Sequence, residues 1–107
     1  MDASGNWIAE RKLVLSNRES KDRAQVFVRV YAPFPVVPGS VSFSVADGVA
    51  GCKYEIVGLP LPISDTCYGA DALQALQLAV DVEPMLRRLA KTYDIYFESG
   101  EPYFDED

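Results

Sequence analysis

The chain has two thiols, Cys52 and Cys67, and no histidine. Without histidine the commonest general acid/base is missing, and with it every Ser-His-Asp or Cys-His arrangement. The two cysteines lack the C-x-x-C spacing of a zinc site, so no metal of that kind is expected. Cys67 precedes a helical segment by a few residues, where a helix N-terminus lowers a thiol pKa. No basic residue adjoins it, and a structural cysteine is the expectation. Carboxylates are the other acid/base candidates. Asp65 and Asp71 flank one loop over 64–71, near enough to share a cleft as paired carboxyls do in glycosidases. Capping explains Asp71 and turn chemistry explains Asp65. The terminal carboxylates lack the order of an EF-hand loop. No phosphate-binding glycine motif occurs, since Gly48-Val49-Ala50-Gly51 reads as a turn. No cofactor and no catalytic residue are assigned.

Binding is the chemistry left to consider. Most of the aromatic residues must be core, but Phe34 among prolines, Tyr68 in the loop, and Tyr103-Phe104 in an acidic end are exceptions. Tyr and Phe supply contact area, and neighbouring carboxylates steer a basic partner. The partner-binding candidates are therefore Tyr103, Phe104, Asp105 and Glu106, with Gln74, Gln77 and Asp81 from the polar side of the main helix. The competing expectation is that Tyr103 and Phe104 fold back onto the sheet and anchor the end.

Charge is unevenly placed. Residues 1–70 carry seven basic and seven acidic side chains, whereas 71–107 carry three and nine, which accounts for the whole net charge of −6. Beyond Tyr93 there is no Lys or Arg. That acidic end, 94–107, disfavours nucleic acid, whose phosphates select a basic stripe. No apolar run approaches the roughly 20 residues that span a bilayer. The polar start lacks the features of a signal peptide, so a cytoplasmic protein with reduced thiols is expected. At 107 residues, about half of them apolar, one core and one domain over 1–107 are expected.

The elements follow from periodicity. Trp7–Leu15 and Ala24–Ala32 read as a hairpin, with Val26, Val28 and Val30 on one face and Phe27, Arg29 and Tyr31 on the other. Pro33, Pro35 and Pro38 are expected to stop any strand. Ser40–Val45 alternates as a third strand and Cys52–Val57 as a fourth. Ser64–Ala70 is expected to be a loop. Asp71 caps a helix, and Gln74 completes a capping box. In that helix Gln74, Gln77 and Asp81 form a narrow polar sector, and nearly everything else from Ala72 to Val82 is apolar. Leu73, Leu76 and Val80 are predicted to face the sheet, leaving Leu78 and Val82 on the far side. A homodimer through Leu78, Val82 or an edge strand would cover that flank. Pro84 restarts the helix, and Asp94–Glu98 reads as a last strand. The predicted fold is α+β, an antiparallel sheet of about four to five strands packed on one face by a C-terminal helix or Pro-kinked helical pair.

The stretch from Tyr68 to Ala79, carrying Gly69-Ala70-Asp71-Ala72-Leu73-Gln74-Ala75-Leu76-Gln77-Leu78-Ala79, resembles the helix-start signature of a family of small bacterial domains of unknown function. Cys52-Lys53-Tyr54-Glu55-Ile56-Val57-Gly58-Leu59 is similar to the strand that precedes it there. The resemblance spans about residues 7–93, rests on a helix type that is itself common, and implies a bacterial origin and the element order above. It brings no catalytic residues, and the segment Pro33–Gly39 is longer than its pattern. The functional expectation is a non-enzymatic protein-interaction or inhibitor/immunity-type module for a basic partner. The alternative is a small enzyme or ligand-binding domain using the 64–71 loop.

Overall fold

A computed structural model describes residues 7–37 and 48–104. The strand expected over 40–45, and with it Asp105 and Glu106, lie outside the described residues. Strand β1 (Trp7–Asn17) and strand β2 (Arg23–Tyr31) form the expected antiparallel hairpin. Its turn is held by the Asn17 side chain, whose Oδ1 accepts from the amides of Glu19 and Ser20 at 2.9 and 3.1 Å. Alternation decides the faces: Leu13, Leu15, Val26, Val28 and Val30 are buried on one side.

Strand β4 (Ala50–Val57) is central. On one side it pairs with β2, through Phe27–Val30, and with the two-residue strand β3 (Phe34–Pro35). On the other it pairs with β5 (Ile63–Gly69) along seven consecutive residues. Strand β6 (Tyr93–Phe97) flanks β1, so among the described residues the antiparallel sheet has six strands. Two expectations are corrected here. Residues 63–69 are a strand rather than a loop, because Ile63, Thr66, Cys67 and Tyr68 suit a pleated surface, and an edge strand leaves its polar residues in water. The prolines do not exclude pairing either; Pro35 sits in a strand too short to need its missing donor.

Helix α1 (Ala72–Val80) starts as its caps require: Asp71 accepts from the Gln74 amide at 2.8 Å, and Gln74 Oε1 accepts from the Ala70 amide at 2.6 Å. Helix α2 (Glu83–Leu89) carries Pro84 in its first turn, making one bent helical segment over 72–89 packed against the strands. The fold class is the α+β arrangement the periodicity implied.

The facing of α1 is not as predicted. Ala75 and Ala79 lie on the sheet at 0% and 1% exposure, while Leu73 is 65% and Val80 49% exposed; Leu76 is half-buried. The reason is Gly69. A Cβ there would fall 2.5 Å from the Ala75 amide nitrogen, so the helix backbone rests directly on β5. Only alanines fit so close a seam, and larger side chains are turned to its flanks. Val82 is also corrected: it is 8% exposed and packs in the chain's own core with Leu13, Leu15, Val28, Ile56 and Leu86, so it lines no contact with a second copy.

After β6 the chain returns along that strand's outer margin. The Phe97 amide donates to the Glu101 carbonyl and the Tyr103 amide to the Ile95 carbonyl, at 2.8 and 2.9 Å, with Pro102 bridging to Tyr96. Tyr103 and Phe104 thereby fold back, half-buried, against the core. Because the α1 seam is filled by backbone, Gly69→Ala is expected to cost about 1–3 kcal/mol through overpacking. Leu73→Ala, at the exposed flank, should stay within about 0.5 kcal/mol. Urea denaturation of both variants checks the contrast.

Candidate functional site

One face of the sheet carries both helices; the other carries none of the described elements. What furnishes this second face follows from register. Arg29 pairs with Glu10 on one side and Glu55 on the other, and Phe27 pairs with Lys12 and Val57. Tyr68 lies opposite Gly51. Strict alternation would place Trp7 with Ala9, Arg11 and Leu13 on the helical face. A β-bulge between Trp7 and Ala9 instead sets Trp7 opposite Tyr31, re-aiming its indole as bulges do.

The result is a clamped cation. The Arg29 guanidinium carbon lies 4.0 Å from the Trp7 ring centroid and 5.0 Å from that of Phe27, while its Nε donates to Glu10 Oε2 at 2.8 Å. The Arg29 and Glu10 side chains are only 21% and 19% exposed, although the backbone at Glu10 lies open beyond the reach of β6. Partial burial makes this pair and its ring contacts stronger than exposed equivalents. Next to it the Tyr31 hydroxyl donates to Glu55 Oε1, and Lys53 Nζ stands 5.2 Å from the Tyr31 centroid. Phe34 lies flat over Gly51, whose absent Cβ would sit 2.6 Å from its Cζ. Trp7, Tyr31, Phe34 and Tyr68 thus cross one end of the sheet as an aromatic belt, with Trp7, Phe34 and Tyr68 each about two-fifths exposed. None of the described grooves opens on this belt.

The residues singled out from sequence lie elsewhere. Gln74, Gln77 and Asp81 are exposed, but Gln74 sits beside Gly69 at the first turn of α1, where it caps Ala70, and Asp81 is the C-cap of that helix. Tyr103 accepts from Arg11 at 2.7 Å and packs edge-on to Phe104, whose ring lies under Arg87 at 4.1 Å. Phe104, Tyr93 and Tyr96 line a groove of about 570 Å³ with Arg18, Arg87 and Lys91 at the β6 margin. Arg18 there is paired with Asp94 at 3.3 Å and Arg87 with Glu83 at 3.7 Å.

Asp65, Cys67 and Tyr68, the residues of the alternative reading, do not gather in a cleft. Alternation sends Tyr68 to the helix-free face and the other two to the helical face. Burial pushes the thiols of Cys52 and Cys67 up, with Cys67 adding for Cys52 and Asp65 for Cys67. Burial likewise raises the Tyr54 hydroxyl. These shifts keep the groups protonated, the reverse of an activated nucleophile. Among the described residues no group of three or more Cys, Asp or Glu is arranged to hold a metal.

Trp7 is the chain's single tryptophan, so its emission reports on the clamp. Arg29→Ala is expected to shift Trp7 fluorescence to longer wavelength. A Trp7/Arg29 double-mutant cycle should give a coupling of about 0.5–1 kcal/mol, which urea titration measures.

A search of curated proteins and a search of solved structures found no match to the chain. A family model described as a domain of unknown function, DUF6968, matches residues 9–86. The match takes in Arg29, Phe34, both cysteines and α1, and stops within α2 at Leu86. Spanning well over half of the 107 residues, it shows that the chain belongs to the DUF6968 family of domains of unknown function.

Proposed function

We infer that this chain is a non-enzymatic protein-interaction module whose partner docks on the helix-free face of the sheet. The observation that carries the reading is the Arg29 stack between Trp7 and Phe27, held by Glu10. Trp, Tyr and Arg dominate the energetics of protein interfaces, above all where their conformations are set before binding. A flat face suits a protein surface, whereas small molecules take concave sites. The excess of carboxylates after residue 70 adds long-range attraction for a basic partner, which gives the reading its inhibitor or immunity-type form. The bacterial origin suggested by the helix-start segment from Gly69 to Ala79 belongs to the same reading.

Capture of partners by the tagged full chain, from a lysate of its source at about 50 and about 500 mM salt, tests the reading. The wild-type chain should recover a protein at low salt. Trp7→Ala and Arg29→Ala should each lose it by about tenfold or more, a hot-spot cost, while Gln77→Ala keeps it. Recovery unchanged in both face variants, or no partner at either salt, overturns the reading.

Self-association is the second reading, favoured by the exposed Leu73, Leu78 and Val80 around α1. Sedimentation equilibrium at micromolar concentration is expected to show twice the 11.8 kDa chain mass and to return to a single chain in Leu78→Asp. A monomer across the concentration range refutes it.

A further inference from the structure

We propose that Cys52 and Cys67 form a reversible cross-strand disulfide when the chain meets an external low-molecular-weight disulfide, which makes the β4–β5 pair a redox modification site. Fourteen residues separate the two in sequence, but the β4–β5 register sets them directly opposite each other. Opposed residues of an antiparallel pair point to the same face, with Cα atoms about 4.5–5.5 Å apart. A disulfide bridges Cα separations of about 4.4–6.8 Å. Both side chains look toward α1, where the neighbours are Val30, Ala50, Tyr54, Ala75 and Ala79. The residues of α1 that pack there are Ala75, Leu76 and Ala79, all apolar. Cys52 is fully buried and Cys67 only half-buried, on a strand whose outer edge has no partner strand among the described residues.

That asymmetry assigns the steps. The Cys67 thiolate attacks one sulfur of the external disulfide, its S–S bond breaks, and one thiolate leaves and is protonated. Cys67 now carries a mixed disulfide. Cys52 gives up its proton to solvent together with its hydrogen bond to the Tyr31 carbonyl, at 3.1 Å. Its thiolate attacks Cys67 Sγ and expels the second external thiol. Two protein thiols are oxidised, one external disulfide is reduced to two thiols, and both protons are accounted for. Cross-strand Cβ atoms stand about 4.5–5.5 Å apart, slightly wider than about 3.5–4.5 Å in a relaxed bridge, so the bond is of the labile, reducible kind. The charged group facing the pair is Asp65 on β5, beside Cys67, and Arg88 on α2 faces the neighbouring Tyr54 hydroxyl. Since burial keeps both thiols protonated at neutral pH, exchange should quicken on the order of tenfold per pH unit below the thiol pKa.

The test incubates the full chain with oxidised glutathione between pH 7 and 9, followed by acid quench, thiol alkylation and intact mass. The wild-type chain should lose two hydrogens, take up no alkylating agent, and yield a Cys52–Cys67 cross-linked peptide. Reduced glutathione should reverse this. Cys52→Ser, whose hydroxyl can still donate to the Tyr31 carbonyl, should stop at a glutathione adduct on Cys67. Cys67→Ser should keep a free Cys52 with no adduct, and circular dichroism of both variants verifies folding. A persistent adduct on wild-type Cys67 with Cys52 still free, or disulfide-linked pairs of chains, overturns the proposal even if both variants misfold.

Discussion

The missing side chain of Gly69 sets how the rest of the molecule can pack. With the α1 backbone resting on β5 at that point, the seam admits only Ala75 and Ala79. Alanines bury little apolar area, so this end of the core contributes modestly at about 25 cal/mol per Å². Stability is concentrated at the other end, where Leu13, Leu15, Val26, Ile56 and Leu86 are fully buried. There the bend at Pro84 lets α2 lay Leu86 across the β1–β2 hairpin. Each such leucine or isoleucine is worth about 1.5–3 kcal/mol on burial. The close seam also lids Cys52 and Tyr54, and their desolvation follows from it.

The fold class was legible because alternation in β2 and β4 is nearly perfect and Asp71 and Pro84 mark helix starts without ambiguity. The orientation of α1 was not. A helical wheel assumes that the largest apolar side chains seek the sheet, an assumption that fails where the facing strand offers a glycine. Strand β5 was missed because Ser64, Asp65 and Thr66 resemble a turn, and an edge strand with one wet side permits such polarity. The Trp7 stack had no periodic signal whatever, since a one-residue bulge reverses the face that alternation assigns. The opposition of Cys52 and Cys67 likewise depends on the length of the Gly58–Pro62 connection, which no spacing motif encodes.

The two faces of the sheet are chemically distinct. On the helical face burial keeps the Cys52 and Cys67 thiols and the Tyr54 hydroxyl protonated. On the other face charged side chains are held locally: Arg29 by Glu10 and two rings, Lys53 by the Tyr31 ring, Glu55 by the Tyr31 hydroxyl. A partner meeting such a face finds side chains whose rotamer freedom is already spent, so little ordering entropy remains to oppose association.

The return of residues 101–103 along β6 has a consequence for polymerisation. The Ile95 carbonyl and the Phe97 amide, which would template an incoming strand, are consumed by the chain itself, and Pro102 offers no donor. On the same flank the upper part of β1 is kinked by its bulge and lined with Glu10, Arg11 and Lys12, features that repel a flat neighbour. The opposite margin, β5, has no such guard among the described residues. Among the described residues, strand addition is therefore opposed along the β6 border and left open along β5. Such an arrangement favours a single border-to-border pairing over continued cross-β growth.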